Sequence, residues 1–302
     1  MAVDNMKKRK FQLANHPWMG LGIKWFISII VLFGVIIIAN LIGIPGDAPY
    51  RPLITPTFAH ILILFLVTPF VLQLPNGKTT YRKYIDDIRL SHFKPFLPLL
   101  ILGISSSIIM LLLLSINSFV FRIIQGLPIN IAFVRPIIDL GIDLPPESKS
   151  WIAAFPSIFE EISWRGVVFV LFMRKYSAKK SILITALGFG LFHLLNLLGG
   201  VEIYFVLRQV IFGSALGFFY GYLVLRTNSL LPAMLFHFLV NMFIGSFTHY
   251  FQRFAPANIQ ILYTLINLPM ATLILIGWVK IFTKWFVPEP AGLRQIDRKK
   301  EK

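Results

Sequence analysis

Of the 302 residues only 13 are Asp or Glu, and two adjacent ones, Glu160 and Glu161, fall well inside a hydrophobic stretch. A charged side chain at the centre of a membrane helix costs roughly 2.5–3.5 kcal/mol on insertion scales, so an adjacent pair calls for a reason. Arg165 follows Glu161 by four residues, one helical turn, which allows an ion pair along the helix face. Glu160 is rotated by about 100° from Glu161. One acid can therefore be paired structurally while the other is left for chemistry. Two further polar groups lie in apolar surroundings: His193 in FGLFHLLN, and His237 with Asn241 in FHFLVN. The last two are four apart and share a helix face. Taken singly, each histidine reads equally as a packing residue, and both acids could merely serve Arg165.

Together these residues suit one reaction type. A carboxylate beside an imidazole can hold a water molecule and take its proton, and a carboxyl in a low-dielectric interior is the stronger base near neutral pH. A second imidazole and an amide can donate hydrogen bonds to a developing oxyanion. That is a site for adding water to an amide carbonyl. HExxH and GxSxG are both absent. With no cysteine, disulfides, thiolate zinc sites and cysteine nucleophiles are excluded. Two histidines and a glutamate can also hold zinc. Glu160, His193 and His237 are thus the donors if a metal is present, and the sequence leaves metal-bound and metal-free water both open.

The elements that must carry these groups are membrane helices. Hydrophobic residues make up 56% of the chain and charged residues 14%, with a mean hydropathy of +0.74. Soluble domains are nearer a quarter charged. Eight apolar stretches can be drawn, at 25–43, 57–74, 96–120, 151–173, 181–198, 203–225, 229–247 and 259–279. Pro69 and Pro269 fall inside them as expected kinks. With eight spans, 22 of the 29 Lys and Arg residues lie on one side and five on the other, with Arg165 and Arg208 inside spans. The positive-inside rule then puts both termini in the cytoplasm. The expectation is an all-α, polytopic transmembrane helical bundle of about eight spans. The same distribution explains the net charge of +16 without a nucleic-acid partner. The first apolar stretch reads as a retained span and not as a signal peptide.

Four regions follow: a basic cytoplasmic N-terminus at 1–24, N-terminal spans at 25–149, a core at 150–247, and the last span with a basic cytoplasmic tail at 248–302. Within the second, 75–95 is polar and basic and reads either as an amphipathic helix on the inner surface or as a solvated loop. Counting about 1.5 Å per residue from the inner span ends puts Glu160, His193, His237 and Asn241 roughly 20, 18, 12 and 18 Å deep. Three helices thus bring polar groups to similar levels, which points to one buried site. Gly213, Gly217 and Gly221 form overlapping GxxxG spacings, read as packing within this chain. Arg208 is expected to snorkel outward, and Asn196 is a candidate to orient His193. His60 and His249, near outer-side span ends, read as bystanders, and His16 and His92 as lying on the cytoplasmic surface.

Glu160-Glu161-x-x-x-Arg165, Phe189-x-x-x-His193 and His237-x-x-x-Asn241, in that order on three separate spans, resemble the motifs of the CAAX protease and bacteriocin-processing (CPBP, or Abi) membrane protein family. This family includes the Ras-converting prenyl endopeptidase. The resemblance covers about 150–247 and implies a glutamate-dependent intramembrane endopeptidase built as a helical bundle. It implies that Glu160 and His193 activate water, that His237 and Asn241 stabilise the oxyanion, and that Glu161 and Arg165 support them. Family members are described both as metalloproteases and as metal-independent, so the cofactor is either none or zinc. The partners implied are the lipid bilayer and a membrane-associated peptide or protein substrate, in a bacterial or archaeal cell membrane. Two other function classes compete with the peptidase. One is a non-enzymatic scaffold or immunity factor of the same fold, and the other is a proton-coupled transporter relaying protons through Glu and His.

Overall fold

The computed structural model describes residues 15–46, 48, 51–69, 80–124, 126, 154–254 and 257–287. All regular structure among them is helical. In chain order the helices are α1 (Pro17–Leu41), α2 (Arg51–Ile61, continuing as Leu62–Val67), α3 (Tyr81–Asp87) and α4 (Phe96–Ile124). There follow α5 (Pro156–Glu161, continuing through Ile162–Val168 to Phe169–Met173), α6 (Ala178–Phe192, tightening into a 3-10 turn over His193–Gly199), α7 (Ile203–Thr227), α8 (Leu231–Phe254) and α9 (Ala257–Phe286).

Five segments are long and apolar enough to cross a membrane: Pro17–Leu41, Phe96–Ile116, Ala178–Leu198, Ile203–Thr227 and Thr264–Phe286. Ile54–Val67 and Leu231–Phe243 are shorter apolar helices. These seven coincide with all the expected spans but the fourth. That span is α5, whose apolar run is interrupted by Glu160, Glu161 and Arg165. The chain is an integral membrane protein of helical class. The basic N-terminal cluster, most of residues 121–149 and the end of the C-terminal tail lie outside the described residues.

α5 is the centre of the bundle. It packs against α1, α2, α6, α7 and α8, while α6 lies along α7, and α4 along α8 and α9. Every residue from Glu161 to Met173 is buried, including Trp164, Phe169 and Phe172. Helices with lipid on one side instead expose large apolar groups, such as Phe26, Ile37, Leu41, Leu273 and Trp285. Over Ile162–Val168, α5 widens into π-helical turns, a local rewinding that inserts a residue and occurs often at functional sites. α2 does the same over Leu62–Val67.

The 75–95 segment resolves, over its described part, into a short helix that docks on the bundle. Thr80 caps α3 by accepting from the Lys83 N–H at 3.4 Å. The buried Tyr84 hydroxyl donates to the Leu64 carbonyl at 2.7 Å, tying α3 to α2. Arg89, at φ 64°, donates through Nε to Asn228 Oδ1 (2.9 Å) in the α7–α8 turn, where Asn228 is itself left-handed at φ 54°. His92 bridges the Asn228 carbonyl (2.9 Å) and Asp86 (3.0 Å). His92, expected simply at the surface, is thus part of this clasp.

Candidate active site

Glu161 is completely buried, and a single oxygen of it does two jobs. Its Oε1 accepts from Arg165 Nη1 at 3.0 Å, one turn along α5, and from His237 Nδ1 at 2.9 Å, across from α8. Arg165 is equally buried, with 0% of its side chain accessible. Its guanidinium lies between two aromatic rings, 4.5 Å from the Phe189 centroid and 4.7 Å from that of Tyr220. Guanidinium stacking of this kind suits a planar, weakly hydrated cation in a dry setting.

Glu160 differs from its neighbour. Its side chain is 29% accessible, and its Oε2 stands 3.9 Å from His237 Nε2. A carboxylate can only accept from Nδ1, so that nitrogen of His237 carries the proton it gives Glu161, and Nε2 is turned to Glu160. His237 is also stacked on the Tyr220 ring (centroids 4.8 Å apart, 25° between planes) and meets Phe189 edge-on at 5.8 Å. Four contacts therefore fix its orientation.

His193 is held by other means. Its Nδ1–H donates to the Phe189 carbonyl one turn back, at 3.0 Å, which leaves Nε2 as the outward nitrogen. Phe189 packs edge-on against both His193 (5.2 Å) and His237 (5.8 Å), so one side chain spaces the two imidazoles. Asn196 does not orient His193: its Nδ2 donates to Gln209 on α7, at 2.8 Å. Asn241 is one turn beyond His237 on α8 and half-buried. The structure therefore gathers Glu160, Glu161, Arg165 and His237 into one bonded cluster. It joins His193 to them through Phe189, while Asn241 makes no hydrogen bond to the cluster.

The glycine row of α7 makes room for these groups. A Cβ on Gly217 would come within 2.9 Å of Arg165 Nη2 and 3.0 Å of the Ala186 Cα. A Cβ on Gly213 would meet the His193 ring at 3.1 Å and the Gly190 Cα at 3.3 Å. Gly221 faces Ile182 on α6. The spacing read as close packing within the chain is that, and it also seats two of the site's side chains. Tyr220 was missed in the sequence, although it lies one turn beyond Gly217 on the same face of α7. Phe189 was seen only as a motif residue.

Among the described residues no three His, Asp or Glu side chains converge as metal ligands. The oxygen of Glu161 that faces His237 is already held by the Arg165 guanidinium. A divalent cation there would share a dry pocket with that fixed positive charge.

A fully buried carboxylate–guanidinium pair thus orients an imidazole beside a second, partly accessible carboxylate. Residues 150–243 match the family described as Type II CAAX prenyl endopeptidase Rce1-like. The match covers the segment that carries all three motifs, so the resemblance read from them is shown there. Comparisons with curated proteins and with solved structures returned no match.

Proposed function

We propose that the protein is a multi-pass intramembrane endopeptidase that uses Glu160 as its general base and works without a metal. The observation that carries this reading is the division of labour between adjacent acids. Glu161 is sealed and neutralised by Arg165, whereas Glu160 is partly accessible and faces His237. A water bound between Glu160 and His193 gives its proton to Glu160 as its oxygen bonds to the scissile carbonyl carbon. That proton then passes to the leaving nitrogen as the C–N bond breaks. His237, when it also carries a proton on Nε2, donates to the carbonyl oxygen as charge develops there, with its ring held by Glu161. Asn241 supplies the second donor. In this reading eight spans cross the bilayer with both termini in the cytoplasm. α5 is the span whose polar groups are shielded by its neighbours.

The family match favours the peptidase over the scaffold, immunity-factor and transporter readings. The test is cleavage of a labelled peptide library by the purified protein in liposomes. Wild type is compared with Glu160→Gln, His193→Ala and His237→Ala, with and without chelator. Cleavage lost in all three variants and kept with chelator is the expected result. Activity in Glu160→Gln equal to that of wild type would refute the assignment.

A further inference from the structure

The ring of His193 is oriented by the Phe189 carbonyl, which leaves Asn196 with a hydrogen bond that the mechanism does not use. Its Nδ2 donates to Gln209 Oε1 on α7 at 2.8 Å. His193 is the first residue of the 3-10 stretch that ends α6, and that stretch runs for seven residues, to Gly199. Such turns have poorer hydrogen-bond geometry than an α-helix and are uncommon beyond three or four residues. A longer one needs support from outside its own backbone. Its far end is closed by Gly200, left-handed at φ 78°. There the Gly200 N–H donates to the Leu197 carbonyl (3.1 Å) and the Val201 N–H to the Asn196 carbonyl (3.2 Å). Asn196 thus anchors the stretch twice, through its main chain to the following loop and through its side chain to α7.

The stretch reads HLLNLLG, with only two polar side chains, and Leu194, Leu197 and Leu198 are exposed. In a 3-10 helix residues three apart are eclipsed, which puts Asn196 on the same side as His193. α7 receives the two one turn apart. Gly213 lies against the His193 ring, where a Cβ would come within 3.1 Å of it, and Gln209, four residues earlier on the same face, takes the Asn196 amide. The two contacts differ in kind. A glycine makes room for the ring without holding it, whereas a hydrogen bond between amides is directional and sets the height of one element against the other. In a membrane interior an amide that loses its partner has no water to turn to, which keeps the pair closed.

We propose that Asn196 and Gln209 are positioning residues for His193. Their hydrogen bond fixes the 3-10 turn against α7, and with it the place of His193 Nε2 relative to Glu160, while the Phe189 carbonyl sets only the direction of the ring. This rests on the peptidase reading, in which Glu160 and His193 hold the hydrolytic water between them. Loosening the turn leaves every reacting group present and changes the distance between two of them. It therefore slows the chemical step and leaves substrate binding alone.

The experiment uses the full-length protein in phosphatidylcholine nanodiscs, with peptides of the labelled library as substrate. Wild type is compared with Asn196→Leu, Gln209→Met, both together, and the exchanged pair Asn196→Gln/Gln209→Asn. The single replacements keep the size of the amides they remove. Ser105→Ala, which takes the acceptor from Trp278 Nε1 (3.1 Å) between α4 and α9, is the control for a hydrogen bond lost elsewhere in the bundle. Each single variant should lower kcat about 10–100-fold with KM within about twofold of wild type. The double variant should be no worse than the poorer single, because the same bond is lost in all three. The exchanged pair should recover most of kcat, and Ser105→Ala should match wild type. ¹⁵N NMR of the histidines gives a readout without turnover. The His193 signal, assigned by its loss in His193→Gln, should shift in both single variants and stay in Ser105→Ala. A kcat within about twofold of wild type in either single variant overturns the proposal, as does a double loss equal to the product of the two. An unmoved His193 signal overturns it as well. If that signal shifts as expected but wild type cleaves no peptide, the positioning role stands and only the peptidase reading fails.

Discussion

The use of one oxygen of Glu161 for two partners makes the charge of the pair separable from its hydrogen bonds. Glu161→Gln can keep its carbonyl oxygen where Oε1 now accepts from Arg165 and His237, and put its amide nitrogen where Oε2 now has no partner. The shape and both hydrogen bonds survive, and only the negative charge is lost. At 3.0 Å and an effective dielectric of about 20, the attraction removed is about 5.5 kcal/mol. Breaking one side of a buried pair costs about 3–5 kcal/mol, because the other charge is left uncompensated. Glu161→Gln and Arg165→Met should each lose that much stability, measured by denaturant titration in detergent micelles. The double variant should lie within about 1 kcal/mol of wild type, because replacing both members with neutral groups is often tolerated. The coupling energy should then be at least 3 kcal/mol, far from additivity. Additive losses, or single losses below about 1 kcal/mol, would refute the account of Glu161–Arg165 as a dry, mutually neutralising pair. The stable double variant should still be a poor enzyme, with kcat reduced, because the charge that supports a protonated His237 is gone.

Gly217→Ala should cost about 1–3 kcal/mol and lower activity, because the new methyl meets Arg165 and the α6 backbone. Gly22→Ala, with nothing within 4 Å, should cost nothing and gain up to about 1 kcal/mol from helix propensity in the same denaturant titration. In the clasp around Arg89 and His92 the two acids should respond to pH with opposite signs. The Ser91 hydroxyl, then His92, hold the Asp86 carboxyl below its ordinary 3.8, so its contribution is present above that value and is lost as pH falls through the lower one. Burial raises Asp87 above 3.8 against the pull of Arg174 and Lys83, so Asp87→Asn should stabilise the protein at neutral pH and do little in acid. Stability curves of the two Asn variants across pH check both signs. Peptide cleavage should persist in the presence of chelator, read by product formation after dialysis.

The helix content and the positions of most spans were legible because lipid forces long apolar runs, and such runs need no tertiary information. The pairing of Glu161 with Arg165 was legible because i,i+4 spacing is local. Depth counting was cruder. It put His237 about 8 Å below Glu160, yet the two side chains come within 3.9 Å. Inner ends of spans are set by loops and by π-helical turns, which hydropathy does not reveal. The partners of His237 were hidden for a different reason. Tyr220 and Phe189 are ordinary apolar residues in apolar helices, and only the packing of α6, α7 and α8 makes them walls of a site. Lys24 was misplaced because a lysine near a basic terminus looks like part of it, until burial against Trp164 separates the two.

The π-helical stretch of α5 makes this gene segment unusually sensitive to length. Such a stretch amounts to one residue more than an α-helix of the same span requires. Deleting one residue between Ile162 and Val168 would leave a well-formed, even more regular helix. The turns on either side would keep their phase, because the bulge absorbs the extra residue, but a deletion ahead of Arg165 would turn it by about 100° relative to Glu161. Arg165 would no longer face α7 while Glu161 faced α8. A single-codon loss there would be silent in helix content and apolar composition yet fatal to the constellation, whereas a point substitution on the same turns alters one contact at a time.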